Sequence, residues 1–457
     1  MRWLRKEIRM EARRTPLEDH PTVRAVRSRS RQAPEPLTRE RLRALALEAG
    51  AADAGVVSID DPALAEERPH VERALPGVRT LVALVLRMHR DDVRSPTRSV
   101  ANLEFHRTGH ETDEVAHRLA VRLAELGHRS INPSMAFPME LDAFPERGWI
   151  VSHKRVAVAA GLGTMGLHRS VIHPRFGSFI LLGTVLTTAE VDAPARPLDY
   201  DPCVSCKLCV AACPVGAIEP DGTFQFSACY NHNYREFMSG FADYMEHVAE
   251  SRDRHELRER VTQGESASMW QSLAYGPNYK AAYCLAVCPA GEDVIGPFLE
   301  RRREHLELVV KPLTRRAEPV YVVPGSDAEA HVTKRFPHKI VRRVRTSLRP
   351  RNARGFVRAL PLVFQRGPAR GWKATFHFDF TGSEADAVQA TVHIDDGRLT
   401  VEPGLVGTAD VAVSCDGALW LEILEQKKSP VVAVLTRRMK VRGDRALLAR
   451  FQACFPR

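Results

Sequence analysis

The run Cys203-Val-Ser-Cys206-Lys-Leu-Cys209-Val-Ala-Ala-Cys213-Pro214 carries four cysteines at spacings of three, three and four, closed by a proline. In a loop of this form the first three thiolates wrap one cluster of iron and sulfide. The fourth, on the departing helix, reaches a second cluster. Soft thiolate sulfur suits such clusters. A zinc site is the plainer alternative, but zinc knuckles show two separated Cys-x-x-Cys pairs. Downstream, Cys284-Leu-Ala-Val-Cys288-Pro289 repeats the Cys-x-x-x-Cys-Pro ending, and the two halves together predict two clusters.

Nine cysteines are present, and seven fall between Cys203 and Cys288, grouped as ligands rather than scattered as disulfide partners. That grouping predicts a reducing compartment, the cytoplasm. Cys229, alone in Ala228-Cys229-Tyr230, would ordinarily pack a core. The second half is short of ligands, so Cys229 reads as one here. Cys415 and Cys454 lie far away and read as inert buried thiols.

At 457 residues the chain exceeds a single core and predicts two or three domains. With 44% hydrophobic and 27% charged residues it reads as soluble and globular. No apolar run approaches the roughly eighteen residues of a membrane helix. The N-terminus has arginines but no apolar h-region, so it does not read as a secretory signal, nor Arg13-Arg14 as a twin-arginine signal. The formal charge of +10 is unevenly spread. Residues 1–34 hold ten Lys/Arg against four acids, and residues 340–370 hold nine arginines and no acid. Both stretches read as solvated segments, or as surfaces for RNA phosphates or an anionic membrane.

Five segments follow from these shifts. Residues 1–35 form a basic arm. An α/β domain covers 36–195, opening with a helix capped by Thr38 that carries Leu42, Leu45 and Ala49. Strands are expected at 55–59, 81–86 and 179–188, and a helical stripe at Val115, Leu119, Leu123 and Leu126. Gly161-Leu-Gly163-Thr-Met-Gly166 matches G-x-G-x-x-G. A dinucleotide site needs a strand before this turn and a helix after it. The preceding Val-Ala-Val-Ala-Ala could be either. Small residues there would also let backbone approach a bulky cofactor of another kind. The cluster domain covers 196–310, and 311–340 reads as a linker. In 341–457, Phe376, Phe378 and Phe380 alternate with polar neighbours as in a half-buried strand, Asp396-Gly397 makes a turn, and further strands and helices complete an α+β unit.

Ala160-Gly-Leu-Gly163-Thr-Met-Gly166, Gly177-Ser-Phe-Ile-Leu-Leu-Gly183 and the Cys203 to Pro214 loop together resemble the epoxyqueuosine reductase and reductive dehalogenase superfamily, over roughly residues 40–300. The resemblance implies cobalamin in a nitroreductase-like α/β domain, with Gly161, Gly163 and Gly166 beside it, reduced by two 4Fe-4S clusters in a ferredoxin-like domain. It implies Cys203, Cys206, Cys209 and Cys288 as one ligand set, and Cys213, Cys229 and Cys284 as the other. Ala281 stands where the family pattern has a cysteine. The second cluster is then 3Fe-4S, takes an oxygen or nitrogen ligand such as His232, or is absent. The family's upstream aspartate falls at Arg147; nearby proton donors are Glu146, His153 and Lys154. An external ferredoxin or flavodoxin would supply electrons.

Residues 341–457 resemble the sterol-carrier-protein type of lipid-binding domain. The resemblance is carried by Gly397-Arg-Leu-Thr-Val401-Glu-Pro-Gly404, Ala409-Asp-Val-Ala-Val413, Trp420-Leu-Glu-Ile and Val441-Arg-Gly-Asp444. An apolar tunnel for a lipid is implied; the alternative is that these residues only pack a core. The expected function is an iron–sulfur, cobalamin-dependent reductase whose substrate the sequence does not identify, a lipid-like molecule being one candidate. The alternatives are a non-catalytic electron-transfer protein with a lipid-binding tail, and a tRNA-modifying enzyme of the epoxyqueuosine reductase kind.

Overall fold

Thr38 opens the α/β unit: its hydroxyl accepts the Arg41 amide at 3.1 Å and caps the helix Arg39–Glu48, which buries Leu42, Leu45 and Ala46. The computed structural model describes residues 16–28, 34–135, 149–191, 196–280, 282–346 and 348–456. Glu146, Arg147, Ala281 and most of the basic arm lie outside the described residues.

The strands of this unit are β1 (Asp53–Ser58), β2 (Thr80–Arg87), β3 (Ser130–Ile131), β4 (Thr164–Met165), β5 (Val171–Ile172) and β6 (Ile180–Thr187). β4 and β5 form a hairpin, and the rest form one antiparallel sheet in the order β1-β2-β6-β3. β2 is buried continuously from Thr80 to Leu86. Both of its faces are covered. Val82 and Leu84 pack with Val115 and Leu119 of the helix Arg98–Glu125. Leu81 and Ala83 pack with Val156 and Ala157 of the helix His153–Ala159. Cover on both faces turns a strand's alternation into an unbroken apolar run. A helix thus precedes Gly161 and a strand follows Gly163, which is the reverse of a dinucleotide fingerprint and removes that reading.

Asp53 ties this sheet to its surroundings. Its Oδ1 accepts from Arg43 at 2.7 Å and its Oδ2 lies 3.1 Å from His173 Nε2. Burial alone would raise this carboxyl, but hydrogen bonds from His173, Arg43 and the Ala54 amide outweigh it and hold the pKa at about 2. A folded pKa below the unfolded value stabilises above the unfolded pKa and is lost as pH falls through the folded one. Asp53→Asn is expected to cost about 1–2 kcal/mol at pH 7, after solvent screening. Urea unfolding should show a smaller deficit at about pH 3 than at neutrality.

Residues 311–340, expected as a linker, are folded instead. β7 (Pro319–Val322) pairs in parallel with β8 (Ile340–Arg343) across the helix Asp327–Arg335. Val320, Val322 and Val332 bury themselves against Val215 and Ile218 of the cysteine segment. Ala328 and Phe336 join the same cluster, so a few spaced apolar residues anchor the crossover in a stretch that reads polar as a whole.

The C-terminal unit has β9 (Lys373–Thr381), β10 (Val388–Asp395), β11 (Arg398–Pro403), β12 (Val411–Asp416) and β13 (Met439–Gly443), ordered β11-β10-β9-β12-β13. Phe376, Phe378 and Phe380 face inward onto Phe356, Trp420 and Phe451. Asp396 and Gly397, at φ 43° and 78°, make the two-residue turn between β10 and β11. In the arginine-rich run, Arg345 pairs with Glu250 at 2.7 Å, Arg343 with Glu329 at 2.6 Å and Arg366 with Asp221 at 3.1 Å. Part of the charge expected to meet RNA or a membrane is therefore spent within the chain.

Candidate metal centre

The two cysteine halves share one local geometry. Lys207 (φ 50°, ψ 24°) and Ala282 (φ 61°, ψ 14°) are both left-handed. Each starts a short helix, Leu208–Ala212 or Tyr283–Ala286, whose second residue is Cys209 or Cys284. Four residues on, Cys213 and Cys288 each precede a proline. Left-handed residues beside right-handed ones turn successive amides inward and make a concavity that favours anions.

Those amides aim at sulfur. The Ala217 N–H donates to Cys213 Sγ at 3.2 Å, and the Val215, Gly216 and Ile218 amides serve the same atom. The Ala290 amide and the Ser178 hydroxyl serve Cys288, and the Leu285 amide serves Cys284.

The sulfurs influence one another electrostatically. Burial pushes the Cys288 thiol up to about 11, and the neighbouring Cys206 and Cys203 add to the rise. Burial pushes Cys209 up to about 12, helped by Cys284, Cys288 and Cys206. Burial pushes Cys229 up to about 12, helped by Cys213. Cys284 rises for the same reason, helped by Cys229 and Cys213. Cys288 thus responds to Cys203 and Cys206, and Cys284 and Cys229 respond to Cys213, while Cys209 responds first to Cys284 and then to Cys288 and Cys206, which places it between the two expected sets.

Free thiols with such raised values would be neutral, and amides aimed at them would gain little. Aimed at thiolates the same donors make charge-assisted bonds. The donor set therefore suits sulfur held deprotonated by metal. Among the described residues, no group of three or more His, Cys, Asp or Glu side chains converges as a metal ion would need.

His232 does not complete the three-cysteine set. The Tyr321 amide donates to His232 Nδ1 at 3.3 Å, which puts the ring proton on Nε2. That nitrogen is buried without a partner and, protonated, cannot ligate. Burial lowers the imidazole to about 3, so it packs as a neutral ring.

Of the proton donors, His153 is committed to structure: Nδ1 lies 2.8 Å from Thr184 Oγ1 and Nε2 lies 3.1 Å from the Ser134 carbonyl. Lys154 donates to the Arg169 carbonyl at 2.7 Å. Its side chain keeps contact with solvent, yet desolvation lowers its ammonium while Cys284 and Cys229 pull it back up. Lys154 is therefore a cation beside the three-cysteine set. The three glycines are explained by the chain's own packing. A Cβ on Gly161 would lie 2.6 Å from the Arg196 carbonyl oxygen, one on Gly163 2.5 Å from that of Ile172, and one on Gly166 2.6 Å from Ile172 Cδ1.

A cavity of about 360 Å³ opens between Arg87, Glu104, Phe176, Phe179 and Val294. Pockets for drug-sized ligands run from about 300 to 1,000 Å³, and a corrinoid with its nucleotide tail is larger than such ligands. This cavity by itself is smaller than a corrinoid would need.

Two features escaped the sequence. Arg94 lies beside Cys288, donates to the Ala286 carbonyl at 3.1 Å and stacks its guanidinium 5.1 Å from the Phe179 ring centre. Gly177, at φ 65°, presses its backbone against Ala290 and Gly291, just beyond Cys288-Pro289, and so joins the α/β unit to the cluster segment. The Gly177-Ser178 pair was the available signal for the second feature. Nothing in the sequence marked Arg94.

Comparison with known proteins supplies further findings. Residues 197–219 match the 4Fe-4S binding domain, and residues 365–456 match the SCP-2 sterol transfer family. The epoxyqueuosine reductase of Synechococcus sp. (strain RCC307) is 34% identical over 157 residues, which is 33% of this chain and 44% of that protein. That of Prochlorococcus marinus (strain NATL2A) is 30% identical over 155 residues, 33% of this chain and 46% of that protein. The chain thus spans less than half the length of these curated relatives. The solved epoxyqueuosine reductase from Streptococcus thermophilus superposes with a TM-score of 0.33 at 18% identity, over 60% of this chain and 79% of that one, a likeness too loose to assign a fold. The chain is homologous to epoxyqueuosine reductases over part of its length and carries a fused C-terminal SCP-2 type unit.

Proposed function

We propose, from this homology to oxidoreductases, that the chain is an iron–sulfur reductase of the epoxyqueuosine reductase type, its two cysteine sets holding two clusters. The coupling of sulfurs from two distant stretches of the chain, with amides and a hydroxyl aimed at them, supports the reading. Cys203, Cys206, Cys209 and Cys288 would hold one cluster, and Cys213, Cys229 and Cys284 three corners of the other. Such clusters, when bound, supply single-electron transfer. Cys284 raises the Cys209 thiol electrostatically, so the two sets would lie near enough to exchange electrons through the protein. Lys154 places positive charge beside the three-cysteine set, where it favours added negative charge. An external ferredoxin or flavodoxin is the proposed electron donor, and the cytoplasm the proposed compartment.

For the substrate, the relatives favour a modified nucleoside in tRNA over a lipid. The test is anaerobic incubation of the reduced protein with tRNA carrying epoxyqueuosine, with the nucleosides read by mass spectrometry. Loss of the epoxide is expected. Clusters that reduce and reoxidise while the nucleoside stays unchanged would favour the second reading, an electron-transfer protein with a lipid-binding tail. Cobalt measured on the same sample tests corrinoid dependence, which rests on resemblance alone.

A smaller effect follows from Ser178. Its one proton has two acceptors in reach, the Leu285 carbonyl at 3.2 Å and the Cys288 sulfur, and a metal-bound thiolate would draw it to the sulfur. Hydrogen bonds to cluster sulfur stabilise the reduced, more negative state. Ser178→Ala is expected to lower one cluster's potential, on the order of tens of millivolts, about 59 mV being a tenfold change in a one-electron equilibrium. A redox titration followed by electron paramagnetic resonance reads it.

A further inference from the structure

The helix Pro430–Leu435 of the C-terminal unit turns apolar residues outward. Ala433 is buried and Val434 packs against the core, while Val431, Val432 and Leu435 are 65%, 56% and 77% exposed. Three branched apolar side chains on the solvent face of one short helix are an unpartnered patch of the kind that marks an interaction surface.

The charge around this patch says what would cover it. Between Gln426 and Gly443 there are six Lys/Arg and no Asp or Glu. Lys427 pairs with Glu425, but Lys428, Arg437, Arg438, Lys440 and Arg442 are exposed and engage no acid among the described residues. This contrasts with the arginines of 340–370, several of which are paired internally. Arg437 also sits at φ 58°, just past the helix end, a left-handed position that glycine usually fills. Among the described residues no helix is long and apolar enough to cross a membrane. An apolar helix face flanked by unpaired cations suits the boundary of a bilayer, where apolar side chains enter the acyl edge and cations meet anionic headgroups.

We propose that the Pro430–Leu435 helix and its basic flanks form a peripheral docking surface for anionic phospholipid membranes. The surface brings the whole chain to a bilayer, independently of the reaction the metal centre supports.

The test is sedimentation of the full chain with vesicles of phosphatidylcholine alone or with added phosphatidylserine. Binding is expected to the anionic vesicles, to weaken with salt, and to fall at least about tenfold in Arg437→Glu/Arg438→Glu and in Val432→Asp/Leu435→Asp. All four side chains are exposed, so the variants should keep wild-type circular dichroism. As a measurement that needs no loss of function, Leu435→Trp should show emission quenched by lipids brominated in their acyl chains. Equal binding to neutral vesicles, unchanged binding by both double variants, or an unquenched tryptophan would overturn the proposal. So would self-association without lipid that Leu435→Asp abolishes, since a second copy of the chain would then be the occupant.

Discussion

Cys288→Ser is expected to remove one cluster whole and to lower iron per chain by about half. Cys288 is 7% exposed and is coupled to Cys206 and Cys203, which lie in a distant part of the sequence. The Ala290 amide already faces its sulfur. Serine replaces soft sulfur with hard oxygen at a buried corner that no solvent ligand can readily fill. The other set, Cys213, Cys229 and Cys284, keeps all its thiols and should keep its cluster. Cys415→Ser and Cys454→Ser are the controls, because those cysteines belong to the C-terminal core. Iron and visible absorbance, measured after anaerobic purification, should fall in the first variant and hold in the other two. Equal iron in all three would separate Cys288 from the metal.

The second large effect is on the seam between units. A Cβ on Gly177 would collide with the Ala290 carbonyl oxygen, and the residue sits at φ 65°. Gly177→Ala should therefore combine an overpacking cost of about 1–3 kcal/mol with a left-handed backbone cost of about 1–2 kcal/mol. The flexible end of a side chain could move aside, but a backbone carbonyl next to Cys288-Pro289 moves only with the segment that carries this proposed ligand. Gly77→Ala separates the two costs, since Gly77 has φ 83° and nothing within 4 Å of its would-be Cβ. It should lose only the backbone part. Hydrogen exchange across β6 and residues 283–298 reads local stability without assuming that so large a chain unfolds in one step. Comparable protection in the two variants would mean that the seam yields.

Local patterns were the legible part of this chain. The Thr38 cap, the stripe from Val115 to Leu123 and the alternation of Phe376, Phe378 and Phe380 each depend on neighbours in sequence, and each appears where expected. The run before Gly161 was ambiguous because a short apolar stretch satisfies a helix and a strand equally. Its packing under the sheet decided for the helix. The fold of 311–340 was hidden because β7 and β8 pair across a helix and against residues of the cysteine segment. At the candidate site, ligand types are visible in sequence, but their hydrogen-bond donors are not. Ser178 reaches Cys288 only through folding of the α/β unit onto the cluster segment. His232 shows the converse: three residues from Cys229 it looks available, and only the Tyr321 amide reveals which ring nitrogen carries the proton.

One measurement bears most directly on the central claim: iron, acid-labile sulfide and zinc, quantified together on the full chain purified without oxygen. Two cysteine sets that hold iron–sulfur clusters, as proposed, predict brown protein with about seven to eight irons per chain, sulfide to match, and little zinc. Colourless protein, or zinc in whole-number ratio with no sulfide, would contradict the account.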